Sequence, residues 1–288
     1  MPRAAFGAMV RKHHMRETEM SYRSICVGLL RGDARNSDTL AAAAQLAAAR
    51  DAHLTGMLLI PPLNIPVYAA IPLPDDVMSN YYDDADTEAE ELRAVFEDRC
   101  RAAGVASFEW QGSAQNIVQS LQNIAPVTDL FVLSQHGGGD YGWLIGEASL
   151  ALGVPIMAIP EAGTFETIGK SILLAWTPKR ECARAVRDAM PLLQKADRVV
   201  VFRGNADDDG RDVELGAYLA RHGVKAEIKH IVAKEVSVGD AVLNAVTDEG
   251  CDLVVMGAYG HSRVRELAFG GVTRNVLEHM TVPTLLSH

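Results

Sequence analysis

The stretch DLFVLSQHG at residues 129–137 returns in altered form as DLVVMGAYG at residues 252–260. Two further blocks repeat in the same order, SICVGLL (24–30) as SILLAWT (171–177) and GVPIMAIP (153–160) as TVPTLLSH (281–288). Blocks that recur in a fixed order indicate a duplicated structural unit. The chain is therefore predicted to contain two related copies, called copy one and copy two below.

Each copy alternates short apolar runs with segments of helical period, which is typical of β-α-β units around a parallel sheet. The run LVVM at residues 253–256 has no polar alternation, as expected of a strand buried on both faces. We predict an α/β fold of two tandem, doubly wound, five-stranded parallel-sheet domains. The predicted strands cover 25–30, 54–60, 107–110, 130–134 and 154–159 in copy one, and 172–177, 199–202, 226–231, 253–256 and 282–287 in copy two.

The length of 288 residues fits two domains, because an ordinary domain has roughly 100 to 200 residues. Copy one carries a Pro-rich stretch at 61–76 and an acidic run at 83–91 that have no counterpart in copy two. We interpret the acidic run as the solvated start of a helix at 88–103. The predicted boundaries are a disordered extension at 1–20, an N-terminal domain at 21–161 and a C-terminal domain at 168–288.

The charge balance of 27 − 37 = −10 repels a phosphate backbone and argues against nucleic acid as a partner. The most apolar stretch, 148–160, is shorter than the about 20 residues of a membrane-spanning helix. Residues 1–20 lack the apolar core of a secretory signal, and the cysteines form no C-x-x-C pair of the kind that binds zinc. We expect a cytoplasmic protein with no membrane, nucleic-acid or metal-site contact.

The segment after the fourth strand of copy two is the best candidate for a ligand site. In open α/β sheets, ligands bind beyond the carboxyl ends of the strands, where the strand order reverses. Gly257 and Gly260 follow that strand and let a ligand approach the backbone without a Cβ in the way. Gly270 and Gly271 then precede a predicted helix at 272–280.

The start of that helix has the chemistry of an anion site. Its first N–H groups lack partners within the helix, and they lie at the positive end of the helix dipole. Thr273 adds a hydroxyl there, and Arg263 and Arg265 lie in the intervening segment. An anion is therefore the expected ligand class, and the two arginines would either reach a polyphosphate or be solvated.

Copy two resembles a universal stress protein domain, whose G-2x-G-9x-G-(S/T) motif binds the ribose and phosphates of ATP. Gly257, Gly260 and Gly270 match the three glycines with their spacing intact. The resemblance covers about residues 21–288. It implies a tandem member of the family with the Rossmann-like, adenine nucleotide alpha hydrolase-like fold, and a stress-response role based on ATP, with Mg²⁺ as its companion ion. The candidate contacts are Thr177, Met256, Gly257, Gly260, His261, Arg263, Gly270, Gly271, Val272 and Thr273.

The sequence departs from the family pattern at two positions of copy two. Gly271 stands where the motif has Ser or Thr, and Thr177 stands where nucleotide-binding members have an Asp at the end of strand one. A hydrogen bond to a charged partner contributes roughly 1.5 to 3 kcal/mol, so the loss of one hydroxyl weakens binding by about ten- to a hundredfold. Backbone N–H groups survive the change, and we expect a weaker site in copy two.

Copy one has diverged further. Ser134 replaces the first glycine of the motif, Gly137 keeps the second, and Leu30 replaces the strand-one Asp. The part that corresponds to the phosphate-binding segment is also shorter. We therefore interpret copy one as a partner with a degenerate site.

Two other classes of function remain open. One is a nucleotide-free scaffold in which the last strand of each copy, 154–159 and 282–287, forms the contact between domains or within a homodimer, since an unpaired edge strand invites pairing. The other is a nucleotide hydrolase, for which only the fold argues. The segment GTFETIGKS at 163–171 resembles a P-loop, but it leads into a strand instead of a helix and is rejected as one.

Overall fold

The computed structural model describes residues 21–62, 75–135, 143–204, 210–231, 237–259 and 271–288. The predicted extension at 1–20 lies outside these residues. In copy one the elements are β1 (Ser24–Leu30), α1 (Asn36–Ala48), β2 (His53–Leu59), α2 (Asp75–Ala103), β3 (Ser107–Ala114), α3 (Ile117–Ile124), β4 (Leu130–Ser134), α4 (Leu144–Ala151) and β5 (Ile156–Ile159). In copy two they are β6 (Ser171–Ala175), α5 (Arg180–Asp188), α6 (Met190–Leu193), β7 (Arg198–Gly204), α7 (Arg211–Arg221), β8 (Ala226–Ile231), α8 (Val238–Asp248), β9 (Leu253–Gly257), α9 (Gly271–His279) and β10 (Thr284–Ser287).

The ten strands of the described chain form one sheet in the order β3-β2-β1-β4-β5-β10-β9-β6-β7-β8. Within each copy all strand pairs are parallel, and the order is the same when read outward from the middle. The two halves meet where β5 and β10 pair antiparallel, with Met157 opposite Leu285. The predicted α/β class with two doubly wound parallel halves is confirmed, and the halves share a single sheet.

Both faces of the sheet carry a hydrophobic core that runs through the two copies. On one face Leu285 of β10 lies in the same cluster as Met157 of β5 and Val186 of α5. On the other face Leu286 lies with Ile156 of β5 and Val276 of α9. Since each cluster draws side chains from both copies, neither half has a core that ends at the junction.

Hydrogen bonds between the copies reinforce the shared core. Gln135, directly after β4, donates from Nε2 to the Leu277 carbonyl of α9 at 2.6 Å, and its Oε1 accepts from the Glu161 N–H at 3.0 Å. The hydroxyl of Tyr22 donates to the Asp188 carbonyl of α5 at 2.5 Å. Gln135 and Tyr22 are both buried, so these bonds are shielded from water.

Several expected element boundaries are wrong. The strand predicted at 107–110 continues to Ala114, and that predicted at 282–287 begins at Thr284. The strand predicted at 172–177 ends at Ala175, and that predicted at 154–159 begins at Ile156. The helix predicted at 88–103 begins at Asp75, so the acidic run at 83–91 lies inside α2 instead of at a solvated helix start. An apolar stripe of this run explains the longer helix, because Ala85 and Ala89 pack against the end of β2.

One aspartate in each copy fixes the start of that copy's first strand. Asp129, before β4, accepts the N–H groups of Arg23 and Ser24 at 2.7 and 2.9 Å. Its repeat equivalent Asp252, before β9, accepts four bonds of 2.6 to 3.1 Å, from the hydroxyl of Thr167 and from three consecutive N–H groups at residues 169–171. The rejected P-loop stretch thus enters β6 while held by a carboxylate.

We expect Asp252→Ala to lower the free energy of unfolding by about 1.5 to 3 kcal/mol, the range for hydrogen bonds to a charged group. Chemical denaturation of purified protein measures this difference. Asp248→Ala is the matched control, because Asp248 is an exposed aspartate of α8 in the same copy. Equal stability of the two variants would contradict the structural role of Asp252.

Candidate functional site

The strand order of copy two reverses between β6 and β9, which are neighbours in the sheet. The chain leaves β6 toward α5 and continues from β9 toward α9. Helix α5 packs on one face of the sheet and α9 on the other, because Val186 and Val276 lie in different core clusters. The carboxyl ends of β6 and β9 therefore border a crevice at the position where open α/β sheets bind ligands.

Gly257, the last residue of β9, lies directly under the first turn of α5. A Cβ on Gly257 would lie 2.6 Å from the Cys182 backbone nitrogen and 2.7 Å from the Glu181 carbonyl carbon. These are backbone atoms that cannot move aside as a flexible side chain would. The absence of a side chain at Gly257 is therefore required by the packing of α5, a constraint that the expected role in ligand approach did not include.

Thr273 connects the end of β9 with the first turn of α9. Its Oγ1 accepts the Tyr259 N–H at 3.3 Å, and Thr273 is only 4% exposed. Tyr259 has a φ of +56°, an uncommon conformation for a residue with a Cβ. Burial raises the pKa of the Tyr259 phenol to about 12, so it stays uncharged at neutral pH. The residues on either side of segment 260–270 are thus held next to each other.

Gly271 and Val272 form the open start of α9. A Cβ on Gly271 would meet no atom within 4 Å, and Val272 is 37% exposed. The N–H groups at this end of the helix belong to the set that lacks intrahelical partners. The departure from Ser or Thr at Gly271 is therefore not imposed by packing, and a hydroxyl-bearing residue would fit there.

The remaining predicted contacts differ in their access to the crevice. Thr177 is exposed, lies two residues beyond the end of β6, and has its Oγ1 3.2 Å from the Cys182 sulfur. Met256 is buried in the core between Ala175 and Leu286 of the neighbouring strands. Trp176, directly after β6, is partly buried and packs against the core. Gly260, His261, Arg263 and Gly270 lie outside the described residues.

Three residues at this edge were missed by the sequence reasoning. His288 has its Nδ1 2.9 Å from the Ala258 carbonyl and its Nε2 3.3 Å from Arg180 Nη2. Because a guanidinium only donates, Nε2 accepts and Nδ1 carries the proton. Arg180 also bonds Glu181 at 3.3 Å. The repeat alignment could have located His288, since it places that residue just past the last strand of copy two.

In copy one, the loop after β1 is bonded to the last residue of β4 and to α2. The Ser134 hydroxyl donates to Asp33 Oδ2 at 3.0 Å. The Gly32 N–H donates to the Glu88 carboxylate at 2.9 Å, and Arg31 Nε lies 3.5 Å from the same carboxylate. The carboxylate of Glu88 thus already holds a backbone N–H and a guanidinium of the loop after β1.

The profile of the Universal stress protein family matches residues 181–288, which include β9 and the start of α9 but begin after β6. Residues 181–288 therefore carry a universal stress protein domain. A curated relative, universal stress protein Slr1230 of Synechocystis, is 24% identical over an alignment of 210 residues that covers 69% of this chain and 71% of that protein. That alignment is longer than copy two, so the sequence similarity to universal stress proteins extends into copy one.

Solved structures extend the likeness in fold to both copies. A universal stress protein from Archaeoglobus fulgidus aligns with a TM-score of 0.71 at 14% identity, over 91% of this chain and 95% of its own. A putative universal stress protein from Pseudomonas aeruginosa gives 0.57 at 12% identity over 92% and 93%. In the part of this chain that the structure describes, no helix has the length and apolarity of a membrane span, and no cluster of His, Cys, Asp and Glu could hold a metal ion.

Substitution by alanine should change the stability of the protein at Gly257 but not lower it substantially at Gly271. We expect Gly257→Ala to lower the free energy of unfolding by about 1 to 3 kcal/mol, because its Cβ overpacks against backbone. Gly271→Ala should stay within about 1 kcal/mol of the wild type or stabilise it, because the new methyl group meets open space. Denaturant titration of both variants measures this, and a tolerated Gly257→Ala would contradict the packing argument.

Proposed function

We propose that the C-terminal domain of this universal stress protein, residues 168–288, binds ATP or a related adenine nucleotide, and that the protein acts as a cytoplasmic stress-response regulator through this binding. The observation that carries the proposal is the position of the three-glycine motif. Its first glycine ends β9 at the point of strand-order reversal, and the segment after its third glycine opens α9. The first motif glycine and the residue after the third thus border the crevice, which supports a ligand site there.

The phosphates would lie at the start of α9. The N–H groups there and the helix dipole favour an anion, and the space at Gly271 leaves the approach open. Gly260, His261, Arg263 and Gly270 are the proposed contacts from the intervening segment, with Gly271, Val272 and Thr273 from the helix. Mg²⁺ would be bound together with the nucleotide phosphates, and not by a preformed cluster of protein ligands.

The nucleoside would lie toward the loop after β6. Thr177 is exposed there and offers a hydroxyl in place of the carboxylate of nucleotide-binding relatives. A hydroxyl accepts hydrogen bonds less strongly than a charged oxygen, so the affinity should be lower than with an Asp. Met256 would support the site without contacting the nucleotide, because its side chain is buried in the core beneath the crevice.

We propose one nucleotide site per chain, with the N-terminal domain, residues 21–161, as a partner without a ligand. The bonds of Ser134 with Asp33 and of Gly32 with Glu88 support this, because they engage the loop after β1 and the end of β4 in copy one. We further propose that binding rather than turnover is the function, and that hydrolysis of bound ATP is slow.

A nucleotide-free scaffold is the second candidate, and the antiparallel pairing of β5 with β10 favours it. In this alternative the last strands serve only to join the copies, or two chains of a homodimer, and the motif glycines serve only packing. The requirement for Gly257 under α5 fits this alternative as well as it fits the first. The two candidates differ in whether ATP binds at the start of α9.

Isothermal titration calorimetry of the protein with ATP should show saturable binding at no more than one site per chain. Gly271→Ser should tighten binding by about ten- to a hundredfold, because it returns a hydroxyl that donates to a charged phosphate. Gly271→Ala is the matched control, since it adds the Cβ without the hydroxyl. Gly270→Asp should abolish binding, because it places a carboxylate beside the phosphates.

Two results would decide against the proposal. Absence of saturable binding up to millimolar ATP in both the wild type and Gly271→Ser would favour the scaffold. Equal affinity of Gly270→Asp and the wild type would mean that the nucleotide binds elsewhere on the protein.

A further inference from the structure

The ten-stranded sheet has two outer strands, and they differ in how well a strand of another chain could pair with them. Within the described chain, β3 pairs only with β2 and β8 only with β7. An outer strand has a row of backbone N–H and C=O groups without partners in the sheet, to which a further strand can add.

Strand β3 is irregular, whereas β8 is regular. The pairing of β3 with β2 skips between Trp110 and Ser113, and Gly112 within the skip has a φ of +80°. Such a bulge bends the strand and interrupts further pairing. Strand β8 keeps an unbroken register with β7 over all six residues, from Ala226 to Ile231. Of the two edges, β8 is the one suited to an added strand.

The charges of β8 are arranged so that the strand complements itself. Glu227 and Lys229 are two residues apart and therefore on the same face, with side chains 57% and 39% exposed. Hydrogen bonds from Arg198 hold the pKa of Glu227 below its usual value, and those from Lys229 and Arg198 do the same for Glu249. The face thus carries a network of opposite charges at neutral pH.

A second copy of β8 fits this edge best in one register near the middle of the strand, because a centre at the end residue Ala226 would align only that residue of the two strands. A two-fold axis perpendicular to the sheet keeps both faces aligned, so residues of equal parity lie opposite each other. An antiparallel pair centred on Ile228 places Glu227 of each chain opposite Lys229 of the other. A shift of the centre to residue 227 would oppose two glutamates and also Lys225 to Lys229, and a shift to residue 229 would oppose two lysines. Like charges directly opposite destabilise a strand pair.

We propose that two copies of this protein associate through antiparallel pairing of their β8 strands, centred on Ile228, with Glu227–Lys229 pairs across the two-fold axis. This joins two ten-stranded sheets into one of twenty strands. A single short strand pair buries less than the about 1,200 Å² of a stable complex, which is typical of transient association. The dimer therefore forms at high protein concentration and weakens as salt screens the exposed pairs.

Sedimentation equilibrium over about 10 µM to 1 mM protein tests the association of the full chain. Glu227→Lys and Lys229→Glu each replace two attractive pairs by two repulsive ones, and should raise the dimer dissociation constant at least about tenfold. The double variant Glu227→Lys/Lys229→Glu restores the cross-strand pairs although its contacts with Arg198 and Glu249 are reversed, and should dimerise again. An equimolar mixture of the two single variants should form heterodimers.

Two controls separate this interface from other effects. Glu249→Gln weakens the charge network within one chain without changing the cross-strand pairs, and should dimerise like the wild type. Glu109→Lys reverses a charge on the other outer strand, β3, and should also have no effect. Circular dichroism verifies that each variant is folded. A wild type that stays monomeric over the whole range, single variants that dimerise like it, or loss of association in Glu109→Lys would each overturn the proposal.

Discussion

The antiparallel pairing of β5 with β10 is the contact on which the rest of the architecture depends. Each copy has a parallel half-sheet, and at its last strand that half-sheet would expose unpaired backbone and apolar faces. Pairing Ile156, Met157 and Ala158 with Leu286, Leu285 and Thr284 removes both edges at once. All six of these residues are fully buried, so the pairing also lets the cores on both faces of the sheet run from one copy into the other.

Much of the fold could be predicted because its signals are local. Runs such as LVVM reveal buried strands directly, and strands β4 and β8 begin and end where the apolar pattern predicts. Helix α2 could not be bounded in this way. Its acidic residues look solvated in sequence, and only the position of β2 explains why Ala85 and Ala89 are buried and the helix extends back to Asp75.

The candidate site was predictable in its location but not in its contacts. The glycine spacing identifies the β9–α9 connection, because it is set by residues close in sequence. The roles of single residues depend on elements distant in the chain. Gly257 is constrained by α5, which lies more than seventy residues earlier, and His288 contacts Ala258 and Arg180 because β10 lies beside β9 in the sheet. Repeat alignment orders the strands within a copy, but it does not determine such neighbours.

The shared core also determines how far the effect of a bound ligand reaches. A ligand that binds only the folded state stabilises it by RT ln(1 + [L]/Kd). All parts of the chain that unfold in one cooperative step share this stabilisation. Two domains with separate cores would divide it, and only the liganded one would melt later. Here residues of both copies lie in the same two clusters. Occupancy of a crevice in copy two would therefore protect copy one as well, whose loop after β1 is already held by Glu88.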